Sequence, residues 1–385
     1  MRDQAFLEQM KGWRQYLHAH PETAFEERET AAFVAEQLTG MGLEFHTGVG
    51  GTGVVASLKV GDGKEVIGLR ADMDAINLPE KGELPYRSQT PGKMHACGHD
   101  GHTTILLGAA KFLSERRNFN GTVRFLFQPA EEPGKGARAM LEDGLLERFP
   151  MDEIYGLHNQ PQFPAGTIYT RTGGIMASED NFTIRIGGRG AHASAPHLAI
   201  DPLVISAQVI LGLQTIVSRK VNPLDSAVIS CTELHTDGAH NAIPSNVVIT
   251  GDTRSYSPQM QALLEEQMRA VCENTCAMGG AACEFLYTHE FAPTVNWESC
   301  VSTAVQAARN LVGDDKVDAN CQPLMGSEDF GLFLQKIPGC FVFLGSGAPD
   351  GGSLPLHNAC YDFNDSILET GAEFFAELIR LRLPR

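Results

Sequence analysis

The sequence predicts an α/β domain, built on a mixed sheet with helices on both faces, that is interrupted by an inserted α+β unit. Three observations predict it. Apolar strand-like runs alternate with helical runs up to about residue 177. The order then changes to strand, helix, strand, strand, helix, strand, the ferredoxin-like arrangement. Helix–strand alternation resumes after about residue 291. The expected division is therefore 1–177 and 292–385 for the α/β domain and 178–291 for the insert. A chain of 385 residues has room for both, since single cores stop growing at roughly 250–300 residues.

Each element follows from its pattern. Residues 4–18 have a helical apolar period and end at His-Pro-Glu, where His18 and His20 are expected to fix the turn; 26–38 form a second helix. Strands are expected at 53–60, 65–72, 122–128 and 153–158, with a helix over 103–117 between the second and third of these. In the insert, "NFTIRIGG" alternates polar and apolar residues, an apolar helix covers 202–218, and "SAVISCTEL" and "NVVITGDTRSY" read as strands. A helix over 258–277 and the strand "CEFLYTH" complete it, with Cys272 and Cys276 on one buried helix face. The chain closes with "CVSTAVQAARNLV", "SEDFGLFLQKI", "CFVFLGSG" and a helix from 365.

Composition narrows the function. The formal charge is −17 and no Lys/Arg-rich run occurs, so binding nucleic acid through its phosphates is not expected. A small anionic substrate would need a locally positive site. The N-terminal residues lack a signal peptide's apolar core, and no run of about 18 apolar residues is found, so no membrane span is expected. Nine cysteines without a framework spacing fit free thiols in a reducing cytoplasm.

The chemistry concentrates in four places. "KMHACGHDGHTT", 93–104, holds three histidines, Cys97 and an aspartate, and Cys97 and His99 point to one side of an extended loop. "FLFQPAEEPGKG" ends an apolar strand and then presents Glu131 and Glu132, at the carboxyl edge where α/β sheets hold ligands. Adjacent carboxylates repel, which is tolerable when one ligates a metal and the other acts as base. His158 ends the strand of "GLHNQ", and His357 lies in the loop "PLHNAC". Taken singly, each piece admits a structural role. Together a thiolate, three imidazoles and a carboxylate suffice for two metals with positions left open to water. Cys97 as nucleophile with His99 as base would leave the glutamates, His158 and His357 unexplained.

The ordered motifs "LHAHPETAFEE", "LRADMDA", "MHACGHDGH", "FQPAEE", "LHN", "GRGAHASAPH", "GAHNAIP" and "GSEDFG" resemble metallopeptidase family 20, in its amidohydrolase branch of hippurate hydrolase, N-acyl-amino-acid deacylases and auxin-conjugate hydrolases. The resemblance covers essentially the whole chain. It implies a zinc-peptidase-like catalytic domain with a lid and dimerisation domain inserted. It further implies Cys97 as a bridging ligand, with His99, Glu132, His158 and His357 completing two metal shells, and Glu131 as general base. Asp72 would orient a ligand histidine from behind, and Arg70 stands where distant members carry a ligand histidine. In the insert, His192 would stabilise an oxyanion in a neighbouring subunit's site, while Asn241 and Arg254 would contact a substrate carboxylate. His95 and His102 are expected to shape the metal loop.

The expectation is a cytoplasmic amidohydrolase carrying two divalent ions per chain, manganese or zinc, with cobalt or nickel also suited to the donors. It would cleave a small N-acyl or N-aroyl amino acid and form a homodimer or homotetramer. A small-peptide carboxypeptidase or dipeptidase on the same scaffold, or a non-catalytic binding homologue, is the alternative.

Overall fold

The computed structural model describes residues 4–348 and 353–385. Two compact units result. One ends at Ile175 and resumes over Val295–Pro323 and Asp329–Arg385; the other comprises Met176–Thr294 and Leu324–Glu328. The return of 324–328 to the second unit has no counterpart in the expected division.

The first unit is built on an eight-stranded sheet. Its strands run in the order Glu44–Val49, Gly53–Val60, Gly121–Gln128, Val66–Asp72, Glu153–Pro164, Gly339–Gly347, Ile168–Tyr169 and Val317–Asp318. Val66–Asp72 is parallel to both of its neighbours, and Gly339–Gly347 is parallel to Glu153–Pro164, with Phe343 opposite His158. Parallel strands are covered on both faces and therefore read as continuous apolar runs; every residue of Gly339–Gly347 is buried. The helix His99–Arg116 connects Val66–Asp72 to Gly121–Gln128 and is buried along nearly its whole length. Leu368–Arg382 packs against it, with Gln4–Ala19 and Glu298–Val312 alongside. The parallel strands send their carboxyl ends, Asp72, Gln128 and the His158 region, to one edge of the sheet, where such folds place their chemistry.

The second unit is a four-stranded antiparallel sheet in the order Ala227–Thr236, Asn246–Ser255, Glu179–Gly187, Ala282–Phe291. With the helices Pro202–Arg219 and Pro258–Met278 this is the ferredoxin-like topology expected from the sequence. Phe182, Ile184 and Ile186 alternate inward to meet Ile205, Val209 and Leu213 of one helix and Leu264, Met268, Cys272 and Cys276 of the other. Both helices begin with proline at the first position behind a capping side chain: Asp201 accepts from the Leu203 N–H (2.9 Å) and Ser257 from the Met260 N–H (3.2 Å). Pro202–Arg219 is the one helix among the described residues that is long and apolar enough by composition to cross a membrane, with a mean hydropathy of 1.3 over 18 residues, although Ser, Gln and Thr interrupt its apolar run. One stripe of it packs on the sheet as a core helix does, while Leu203, Val204 and Leu211 are exposed at 43%, 56% and 70%.

Candidate metal centre

The five expected ligands converge in the first unit. Gly98 makes this possible between Cys97 and His99: its φ is +99°, and a Cβ there would lie 2.3 Å from Asn159 Oδ1. Cys97, His99 and His158 are all buried, with Cys97 Sγ 3.4 Å from His158 Nε2. His99 donates Nδ1–H to the Asp74 carbonyl (2.9 Å) and His158 donates its own to the Asn159 carbonyl (2.7 Å). Each bond fixes the tautomer and leaves Nε2 with a lone pair turned to the centre, the arrangement ligand histidines use. Glu132 approaches from the turn after Gln128, with Oε2 3.3 Å from His357 Nε2. His357 differs from the rest. Its side chain is 53% exposed and its backbone is left-handed at φ +62°, held by its N–H on the Ala96 carbonyl at 2.8 Å.

Two buried atoms at this point have no hydrogen-bond partner, His99 Nε2 and Glu132 Oε1. Leaving such groups unpaired inside a protein is costly. Cys97, His99 and His158 bring ligand atoms within 4.8 Å of one another, as do Cys97, Glu132 and His357. Two overlapping triads that share a sulfur, with orphaned donors facing inward, fit a pair of divalent cations. The electrostatics agree. Burial and the Glu132 carboxylate push the Cys97 thiol up to about 12, and burial opposes charge on His99 but Asp72 and Cys97 raise it well above the usual imidazole range. The acidic groups thus draw positive charge to the centre, and a bound cation would displace the His99 proton and release that of the thiol.

A layer behind the ligands holds them in place. Asp72 accepts from Arg70 (2.7 Å) and His102 (2.6 Å), and its carboxylate lies 3.9 Å from His99 Nε2. Burial disfavours its charge, but His99, His102 and Arg70 hold it well below the carboxylate range. Arg70, fully buried, also binds Gln128 and Asp329 and is committed to this network. His102 reaches Asn159 through its other nitrogen, so it does shape the loop. His95 is buried with both nitrogens unpartnered, and burial pushes it down to about 4. Asp74 and Glu27 join this layer without having been expected from the sequence. The Asp74 carboxylate accepts from the Glu131 N–H (3.0 Å) and the Glu132 N–H (3.1 Å), and Glu27 accepts from the Ala130 N–H (2.9 Å), where Ala130 is left-handed at φ +50°. The signal for Asp74 was its place two residues beyond Asp72, on the same side of an extended segment. His18 also departs from expectation. It bonds Asp100 (2.8 Å) and Glu80 (3.4 Å), whereas His20 alone closes the turn, on the Tyr16 carbonyl.

The other three candidates lie in the second unit. His192 and Asn241 meet on a short ladder that pairs His192 with Ala242, the Ala193 N–H donating to the Asn241 carbonyl at 3.0 Å. Both are exposed. The Ser194 N–H donates to His192 Nδ1 (3.2 Å), which puts the ring proton of the neutral form on Nε2. Arg254 is far from them. It sits eight residues from Asn246 on the same strand, about 27 Å at about 3.4 Å per residue, and the His192 ladder extends beyond the Asn246 end. Its guanidinium binds Asp252 (2.7 Å), Glu179 (2.8 Å) and Ser327 (2.8 Å).

Comparison with known proteins agrees with this centre. Residues 68–381 match the model of peptidase family M20/M25/M40. The chain is 40% identical to a hippurate hydrolase of Campylobacter jejuni over 365 residues, 95% of this chain and 94% of that protein. It is 38% identical to an N-acetylcysteine deacetylase of Bacillus subtilis over 380 residues, 98% of each. Among solved structures it is similar to the Bacillus subtilis YXEP protein, described as a dinuclear metal-binding peptidase of the M20 family, with a TM-score of 0.87, 35% identity and 99% of both chains covered. With the family matched over most of its length and two candidate ligand triads at its sheet edge, the chain belongs to the M20/M25/M40 peptidase family and is a metal-dependent amidohydrolase of it.

Proposed function

We propose that this enzyme hydrolyses the amide of small N-acyl or N-aroyl amino acids, releasing a carboxylic acid and an amino acid. The observation that carries the reading is the pair of orphaned donors, His99 Nε2 and Glu132 Oε1, with the Glu131 carboxylate 3.9 Å from the first of them. Cys97, His99, Glu132, His158 and His357 would hold two divalent ions, Cys97 being common to both triads. Bound there, such ions supply Lewis acidity, which makes water acidic near neutrality and polarises a carbonyl. A thiolate and three imidazoles suit zinc, cobalt or nickel on softness, and manganese remains in the reading. The relatives' names, hippurate hydrolase and N-acetylcysteine deacetylase, support an acylated amino acid as substrate.

In this reading Glu131 takes a proton from the attacking water as its oxygen joins the carbonyl carbon. It then delivers that proton to the nitrogen as the C–N bond breaks, since the bare amide anion is too basic to leave. Asp74 keeps the Glu131 main chain in place, and Asp72 orients the ligand side of the centre. His192, with its proton on Nε2, is a donor suited to the developing oxyanion. Arg254 and Asn241 answer the substrate carboxylate. The strand length between Arg254 and the His192 ladder exceeds any small substrate, which supports a site shared by two chains: Arg254 from one, His192 and Asn241 from the other. Nine free cysteines, most of them buried, support a reducing cytoplasmic setting.

The test is a metal assay joined to a substrate screen. Undialysed protein should carry two transition-metal ions per chain and turn over N-acetyl or N-benzoyl amino acids faster than dipeptides, with activity lost to chelators. Activity on dipeptides alone would make it a peptidase, and metal-free, chelator-resistant turnover would end the reading.

A further inference from the structure

Arg14 lies on the first helix, far from the metal centre in sequence, yet its side chain has no exposed surface. Its Nε and one terminal nitrogen make paired bonds to the two oxygens of Asp365, at 2.7 and 3.0 Å. The other terminal nitrogen bonds Asp362 Oδ1 at 3.1 Å and lies 3.7 Å from Asp100 Oδ2. Tyr86 stacks below the guanidinium at 4.5 Å and donates its own hydroxyl to Asp362 at 2.8 Å. One turn further along the helix, His18 binds the same Asp100 oxygen. Asp100 follows His99 directly. Asp362 and Asp365 stand five and eight residues beyond His357. A single planar fork thus reaches two of the four chain segments that would deliver ligands to the centre, those of Cys97–His99 and His357, and touches none of the ligands. Lysine could not reproduce this, because an ammonium has no rigid fork to divide among three carboxylates.

We propose that Arg14 is a positioning residue that joins the loop of Cys97 and His99 to the segment following His357, and so sets how tightly the Cys97–Glu132–His357 half of the centre holds its ion. That half is the one expected to respond. Cys97, His99 and His158 are buried, and both of these histidines are fixed by backbone carbonyls. His357 is half exposed in a left-handed conformation that a residue with a side chain adopts only when its surroundings impose it. Besides Arg14, the ties on its loop include the His357 N–H to Ala96, the Lys81 N–H to the Ala359 carbonyl at 2.8 Å, Tyr86 to Asp362, Asn364 to the Ser346 carbonyl at 2.9 Å, and the Tyr361 hydroxyl, which accepts from Asn159 at 2.6 Å. Releasing Asp362 and Asp365 leaves His357 free to relax away from Glu132.

The inference rests on the ligand set proposed above, and the experiment separates the two. Full-length protein is stripped with chelator and titrated with zinc against a competing chromophoric chelator, comparing wild type, Arg14→Lys, Asp365→Asn and His357→Ala, with thermal melts of each stripped form. Expected are two sites in wild type, one of them lost in His357→Ala. In Arg14→Lys and Asp365→Asn that same site should weaken about 10–100-fold, while the other stays within about threefold. Asp365 is partly exposed, so Asp365→Asn carries the test should Arg14→Lys fold poorly. Both sites unchanged, or both weakened together in step with the melting temperature, overturns the role of Arg14. Two sites that survive in His357→Ala sink the ligand reading itself.

Discussion

At the residue scale, the proposed reading gives the neighbours Glu131 and Glu132 different tasks, and the difference is measurable. Glu132 Oε2 faces His357 while Oε1 is an orphaned buried acceptor. Glu132→Gln should therefore release metal, as elemental analysis after dialysis would show. Glu131→Gln should keep its metal and its substrate affinity but lose roughly 10²–10⁴-fold in kcat. The reverse pattern would exchange their roles. Cys97, His99, Glu131, Glu132, His158 and His357 were visible in the sequence because ligand-type residues are crowded there beside glycine or at strand ends. Glu27, Asp74 and Arg14 were not. Their work is hydrogen bonding across long chain separations: Glu27 serves the N–H of Ala130, and Arg14 serves Asp365. No local pattern distinguishes such a carboxylate or guanidinium from one on a solvated surface.

At the element scale, the legible parts are those with a strong period or a long apolar run. The helix Gln4–Ala19, the strand Val66–Asp72 and the ferredoxin-like order fall where apolar spacing put them. Glu44–Val49 escaped because "EFHTGV" is an edge strand with only its last residue buried, so it needs no apolar alternation. Ile168–Tyr169 and Val317–Asp318 are two residues each, too short for any period to register. The first helix also carries a charge whose effect depends on pH. Burial alone would lower the pKa of His18, but its bonds to Asp100 and Glu80 prevail and raise it from 6.5 to about 9. A group raised on folding stabilises fully below its unfolded value, and that contribution fades as pH rises through the folded one. The stabilisation of wild type over His18→Gln, read as a difference in Tm, should be largest near pH 6 and shrink by pH 10. A difference that grows with pH would mean the imidazole is held neutral.

At the scale of the whole molecule, the second unit poses a problem of reach for the proposed reaction. His192 and Arg254 are separated by the length of a strand, about 27 Å, yet the proposed reaction needs an oxyanion donor and a carboxylate receptor on one small substrate. Two copies related by a two-fold axis would resolve this, each lending His192 to the other. The exposed leucines and valine of Pro202–Arg219 and the unpaired outer edges of Ala227–Thr236 and Ala282–Phe291 offer surfaces for such pairing. Glu131→Gln and His192→Ala should each be nearly inactive alone. Mixed one to one with exchange of subunits, a site works only when a chain with intact Glu131 meets a partner with intact His192. The chance is one half times one half, so about a quarter of wild-type activity should return. If His192 serves its own chain, every site in the mixture lacks one group or the other and mixing restores nothing. Light scattering at assay concentration gives the second check, because a fully active monomer is incompatible with a donor borrowed from a partner.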